Sequence, residues 1–148
     1  MLKVLLVDDE PFIVQGLSAL IDWEKEGFEI VGTAGNGSEA VEFLKSNPVD
    51  LILADIKMPV MNGLEFLKYI RETHLSEAFF VILSGYGDFT YAKEAIKWQC
   101  TDYILKPIQK SQLLALLSKV KQMQQDKKEE SERIRKIGKA YFEIGRAH

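Results

Sequence analysis

Short apolar runs recur along the chain at Lys3–Val7, Glu29–Ala34, Leu51–Ala54, Phe79–Leu83 and Thr101–Leu105, each rich in Val, Ile, Leu or Phe. Runs of this length and composition, bounded by polar or turn-forming residues, predict five buried strands. Between them apolar residues return every three or four positions, as in Ile13, Leu17, Leu20, Ile21, then Ala40, Val41, Leu44, then Leu64, Leu67, Ile70. That period predicts helices. Strict strand-helix alternation repeated five times implies right-handed crossovers and a flavodoxin-like, doubly wound five-stranded parallel sheet covered on both faces. Gly35-Asn36-Gly37 and Met61-Asn62-Gly63 punctuate the turns that open the second and third helices.

The pattern changes after residue 120. From Leu113 the positions Leu116, Val120, Met123, Lys127, Glu130, Ile134, Ile137, Tyr141 and Ile144 step alternately by three and four, a heptad seam within one long C-terminal helix. Lys127 and Glu130 interrupt the seam, and Gly138 weakens the helix by roughly 1 kcal/mol relative to Ala. The reading is a first domain over residues 1–120 and a helical extension over 121–148, with pairing to a second copy expected through the seam. The competing reading is a final helix ending near Met123 and a frayed charged tail.

Charge sharpens this division. Residues 1–117 carry 10 Lys and Arg against 17 Asp and Glu, a balance of −7, and residues 118–148 carry 9 against 5, a balance of +4. An acidic body argues against direct nucleic-acid binding there, because phosphate backbones are held by clustered Lys and Arg. The lone Cys100 forms no internal disulfide, and the N-terminal apolar run is cut at Asp8, too short for a signal peptide or a span. A cytoplasmic setting is the expectation.

In a doubly wound sheet, ligands bind beyond the carboxyl ends of the strands. The first predicted strand is followed by Asp8-Asp9-Glu10, the third by Asp55, the fourth by Ser84-Gly85 and the fifth by Lys106-Pro107. Any of these alone could be a cap or a solubilising side chain. Together they put three carboxylates, a hydroxyl and an ammonium on one rim. Carboxylates so crowded stay ionised only with a compensating cation, and Mg²⁺ suits an oxygen shell that leaves room for phosphate oxygens. Asp55, ending a central strand, is the nucleophile candidate; Ser84 and Lys106 are placed to hold phosphoryl oxygens.

The segments Leu6-Val7-Asp8-Asp9-Glu10-Pro11, Leu53-Ala54-Asp55-Ile56-Lys57-Met58-Pro59, Met61-Asn62-Gly63, Leu83-Ser84-Gly85 and Tyr103-Ile104-Leu105-Lys106-Pro107 resemble the signature of response-regulator receiver domains over about residues 1–120. The resemblance implies phosphorylation at Asp55 by a sensor histidine kinase. It implies Mg²⁺ held by Asp8, Asp9, Asp55 and the Lys57 backbone carbonyl. Lys106 becomes the phosphate-binding lysine, Ser84 the switch hydroxyl, Tyr103 the aromatic that turns inward on activation, and Lys106–Pro107 a cis peptide. Ser84 stands where threonine is commoner and Gly85 where alanine is; Lys57 and Tyr86 sit where long side chains shield an acyl phosphate from water. The run from Ser84 to Ile96 is similar to receivers of the YesN-like group, whose AraC-type outputs bind DNA; no such module is encoded here, and the expectation is a fragment or an isolated receiver acting as an adaptor.

Two other chemistries fit less well. A haloacid-dehalogenase-type phosphohydrolase needs an acid two residues after its nucleophile, where this chain has Lys57. A flavodoxin-like cofactor site would have to cradle phosphate in the Asp8-Asp9-Glu10 loop, which repels it without metal. His74 has no partner at zinc-ligand spacing. Trp23, Phe28, Phe43 and Trp98 are read as packing.

Overall fold

The computed structural model describes residues 1–85 and 89–146, the side chains of Phe89 and of residues 141–146 excepted. Five strands, β1 (Leu2–Val7), β2 (Phe28–Ala34), β3 (Leu51–Asp55), β4 (Phe79–Ser84) and β5 (Asp102–Leu105), alternate with helices α1 (Pro11–Leu20), α2 (Gly37–Ser46), α3 (Gly63–Glu72), α4 (Ala92–Lys97) and α5 (Lys110–Arg146). All strand pairs are parallel, in the order β2-β1-β3-β4-β5. The order reverses between β1 and β3. The crevice at that point is where a doubly wound sheet places its ligands.

The predicted strands are present, each with one end shifted by a single residue, and β3 and β4 extend to include Asp55 and Ser84. Full burial holds for β3 and nearly so for β4, but not for the two edges. β2 and β5 are largely half-buried, because an edge strand has a neighbour on one side only. The core between the central strands and helices includes Phe66 and Phe80, whose rings lie 5.4 Å apart and tilted, a geometry worth about 1 kcal/mol beyond the area they bury. Trp23 and Phe28 are buried, and Phe43 and Trp98 pack against the core from its margin.

Local signals explain the helix starts. Asn36 and Asn62 cap α2 and α3 by accepting from the backbone N–H groups of Glu39 and Glu65, and Glu65 returns a bond to the Asn62 N–H. That reciprocal arrangement stabilises a helix end by about 1 kcal/mol. α1 lacks a side-chain cap and relies on Pro11, whose missing N–H is an orphan position in any case. The half-buried Arg71 donates to the carbonyls of Ser76, Ala78, Trp98 and Gln99 at 2.7–3.3 Å, bracing the turns that lead into β4 and β5.

The chain divides into two compact units, Met1–Leu114 and Ala115–His148. The residue-120 boundary read from sequence falls inside α5. Along that helix Leu113, Leu116, Leu117 and Val120 are buried, whereas Ile134 and Ile137 are exposed. The seam predicted from Leu113 is therefore split, its first part already covered and only the part beyond Met123 open. The seam side chains Tyr141 and Ile144, and the final Ala147-His148, lie outside what is described.

Candidate functional site

β1 and β3 run side by side, with Val7 opposite Ala54, so the residue after β1 and the last residue of β3 meet at the reversal point. Asp8 and Asp55 are 6% and 8% exposed. With the exposed Asp9 they bring carboxylate oxygens within 4.8 Å of one another, the one such grouping among the described residues. Lys106, beyond β5, reaches across to Asp8 Oδ2 at 2.9 Å and Asp55 Oδ2 at 3.2 Å. Three carboxylates thus face one ammonium. The donors are all hard oxygens crowded around an uncompensated negative charge, and this fits a divalent cation of the Mg²⁺ type better than a softer metal.

The backbone holds these groups tightly. Asp8 Oδ1 accepts from the Glu10 N–H at 2.9 Å, and the Lys106 N–H bonds the Ser84 carbonyl at 2.7 Å. The Lys106–Pro107 peptide is cis, as the resemblance implied. Ser84 is fully buried; its Oγ donates to the Gly85 carbonyl at 3.0 Å and accepts from the Tyr103 hydroxyl at 3.1 Å. Ser84 and Tyr103 are therefore already linked. Lys57 follows β3 and lines a cleft together with Asp9. Tyr86 lies outside the described residues, so the shield assigned to it is not seen.

Burial pushes the Asp55 carboxyl above its ordinary value; Lys106 pulls it down, Asp8 pushes it up, and the net effect is a rise. Burial works the other way on Lys106, lowering its pKa, but the Asp8 hydrogen bond and the Asp55 charge outweigh it and hold the ammonium protonated. A buried acid raised by its surroundings, beside a lysine kept charged, is the pattern of a functional site more than of a structural ion pair.

Tyr91 escaped the sequence reading, and Gly63 enters it only as a turn and signature residue. Gly63 opens α3 directly under Asp55: its N–H bonds the Ile56 carbonyl at 2.9 Å, and a Cβ there would overlap the Asp55 carbonyl oxygen. The Asn62-x-x-Glu65 capping signal marks the helix start but says nothing of that approach. Tyr91, at the end of the 3-10 turn Phe89–Tyr91, forms a wall of the cleft lined by Asp9 and Lys57, and no spacing rule connects it to them.

A parallel doubly wound sheet with an acidic cluster and a lysine at its reversal point defines a class of phosphoryl-handling signalling folds. Residues 4–118 match the model of the response regulator receiver domain, and the chain belongs to that family. It is 40% identical over 120 residues to the transcriptional regulatory protein YesN of Bacillus subtilis, an alignment that covers 81% of this chain and 32% of that protein. It spans about a third to a half of the length of such curated relatives. Among solved structures, the receiver domain of the response regulator AraT from Geobacillus stearothermophilus superposes with a TM-score of 0.79 at 38% identity, over 86% of this chain and 98% of that one. A two-component AraC regulator from Clostridium phytofermentans gives 0.74 at 33%, over 82% and 94%. Among the described residues no helix is long and apolar enough to cross a membrane.

Proposed function

We propose that this receiver takes a phosphoryl group onto Asp55 from a sensor histidine kinase in the cytoplasm, with Mg²⁺ bound by Asp8, Asp9, Asp55 and the Lys57 carbonyl. The observation that carries the reading is the convergence of three carboxylates within 4.8 Å, with Lys106 Nζ at 2.9 and 3.2 Å from two of them. When bound, the cation supplies charge neutralisation at the transferring phosphoryl group, which is most of what this transfer requires. An Asp55 oxygen forms the new bond to phosphorus, and the donor's bond to phosphorus breaks with its electron pair leaving on the donor. Lys106 exchanges its carboxylate partners for phosphoryl oxygens. Water later cleaves the acyl phosphate, so the domain carries its own phosphotransfer and dephosphorylation chemistry.

The readout uses other groups. To bond a phosphoryl oxygen, the Ser84 hydroxyl has to give up the Gly85 carbonyl, and that movement releases or redirects the Tyr103 hydroxyl. For the kinase, an apolar recess of about 490 Å³, lined by Phe12, Ile13, Leu17, Leu20 and Leu83, borders Lys106 and offers a docking face beside the acceptor. Relatives of this chain are transcriptional regulators, which supports control of an AraC-type DNA-binding output as the response.

The test is intact mass before and after incubation with acetyl phosphate and Mg²⁺: one base-labile phosphoryl group is expected, and none would end the proposal. Asp9→Ala should weaken Mg²⁺ affinity by about tenfold or more, since even groups that only support a metal ligand are commonly worth 10–100-fold. Equal affinity in titrations of parent and variant would remove Asp9 from the metal shell.

The domain assignment of residues 1–120 as receiver and 121–148 as helical extension carries a second expectation. Exposed Ile134 and Ile137, at 60% and 63%, suit burial against a second copy. Light scattering should then find dimers of the whole chain and monomers of a chain truncated after Met123. Monomers of both at high concentration, with and without phosphodonor, would exclude the paired helix.

A further inference from the structure

From Lys121 onward, α5 sorts its charges by side. Lys121, Lys128 and Arg135 recur every seven residues, and Lys139 follows four later. At 3.6 residues per turn these four share one face and span about 27 Å of helix. All are exposed, and among the described residues none of them pairs with an acid. Asp126 and Glu130 lie on the side of Ile134 and Ile137, with Glu129 between the two sides. Each of these acids is engaged within the helix: Asp126 by Gln122 Nε2 at 2.9 Å, Glu129 by Gln125 Nε2 at 3.0 Å, and Glu130 by Arg133. Glu132 alone among the described acids borders the cations. Arg135 and Lys139, four residues apart, repel each other, a cost to the helix that an external anion relieves.

The form of this row selects among anions. A nucleic-acid duplex carries one charge per about 1.7 Å of its axis, so a straight helix laid against it meets a phosphate near every cation. Acids on a folded protein are scattered and match a straight row at few points. An anionic membrane takes up a helix by its apolar face, and here that side offers Ile134 and Ile137 bordered by Asp126 and Glu130, which anionic lipid repels. Net charge does not draw the whole chain to a polyanion, because residues 1–117 carry −7; the attraction resides in residues 118–148, at +4. Pairing of two copies through Ile134 and Ile137 would leave the cations on the outside. The matched curated relatives, of which this chain spans about a third to a half, are transcriptional regulatory proteins.

We propose that the face of α5 formed by Lys121, Lys128, Arg135 and Lys139 is a contact surface for the phosphate backbone of duplex DNA. The inference goes beyond the phosphotransfer reading and does not depend on it. Contacts of this kind fix position and carry no sequence information, so the face adds affinity and orientation to whatever element reads the bases. Each cation that replaces condensed counterions at a phosphate contributes about 0.9 to the dependence of log K on log salt. Four cations therefore set a slope of about −3 to −4.

The whole chain, without phosphodonor, is titrated onto fluorescein-labelled duplexes of about 30 base pairs in two unrelated sequences, at about 25 to 150 mM salt, with anisotropy as the readout. The parent should bind both sequences alike, with the slope given above. Replacing Lys121, Lys128, Arg135 and Lys139 together by Gln, which keeps helix propensity, should lower affinity about tenfold or more at the lowest salt and flatten the slope toward zero. Lys121→Arg, Lys128→Arg and Lys139→Arg combined should retain both affinity and slope. Lys3→Gln, Lys25→Gln, Lys45→Gln and Lys93→Gln combined remove the same charge from the receiver unit and should leave affinity within about threefold. No binding by the parent, equal losses in the two glutamine variants, loss in the arginine variant or a marked preference for one sequence would overturn the assignment. So would capture by the row of phosphatidylserine vesicles, or of the acidic unit of a second copy, without capture of the duplex.

Discussion

Asp55→Asn should abolish phosphorylation by acetyl phosphate and Mg²⁺, and in the absence of metal the same variant should melt higher than the parent at neutral pH. The first effect follows from loss of the attacking oxygen: an amide is no nucleophile toward phosphorus at this pH, and no other carboxylate ends a fully buried strand beside Lys106. The second follows from the direction in which burial pushes the Asp55 carboxyl. Its pKa in the folded chain lies above the ordinary 3.8, so between the unfolded and folded values the native state holds a proton that the unfolded state has lost. Stability therefore falls as pH rises through that window, and the ionised acid is a net burden above it. Asparagine removes the burden. The gap in Tm between variant and parent should be widest near neutral pH and close as pH drops below the unfolded value. Adding Mg²⁺ should raise the Tm of the parent by mass action far more than that of the variant, because one ligand of the shell is gone. Continued uptake of phosphate by Asp55→Asn would sink the acceptor assignment. A variant that melts lower than the parent at neutral pH would show the Lys106 ion pair outweighing burial.

The site was more legible in the sequence than the surroundings that support it. Asp8, Asp55, Ser84 and Lys106 each close an apolar run, and a parallel sheet brings strand ends together whatever lies between them, so position in the pattern was enough to place them on one rim. Burial of the edges was not legible in the same way. The Glu29–Ala34 and Thr101–Leu105 runs carry Glu29, Thr33, Thr101 and Asp102 where the central runs Leu51–Ala54 and Phe79–Leu83 are wholly apolar, but strand order decides which strands have two neighbours, and order is a property of the crossovers. The tail shows the same limit. Its heptad steps run evenly from Leu113, and yet Leu113, Leu116 and Val120 are buried whereas Ile134 and Ile137 are exposed, a distinction that periodicity does not contain. Close approaches, such as that of Gly63 to the Asp55 carbonyl, escaped for a third reason: a single contact has no period.

Those close approaches yield the sharpest expected contrast, because one substitution, Gly→Ala, should act with opposite signs at two helical positions. At Gly63 the new methyl would overlap the Asp55 carbonyl oxygen and stand 3.1 Å from Ile56 Cα, backbone atoms held in place by the pairing of Asp55 with Leu83 and by the bond from the Ile56 N–H to the Leu83 carbonyl. Neither can swing aside as a side chain would. Relief requires α3 to shift away from the end of β3, which strains a core that includes Phe66 and Leu67 on that helix. Overpacking against rigid neighbours costs about 3 kcal/mol, and in a chain of this size that lowers Tm by about 10 °C. The movement also displaces Asp55 itself, so phosphorylation by acetyl phosphate should slow by more than the loss of folded protein explains. At Gly16, in the middle of α1, an added Cβ meets nothing within 4 Å. There alanine keeps the helical backbone, narrows the unfolded ensemble and should stabilise by about 0.5–1 kcal/mol. Thermal melts of the two variants beside the parent, with phosphorylation rates corrected for the folded fraction, test the pair. A Gly63→Ala variant as stable and as readily phosphorylated as the parent would overturn the close packing of α3 against the end of β3.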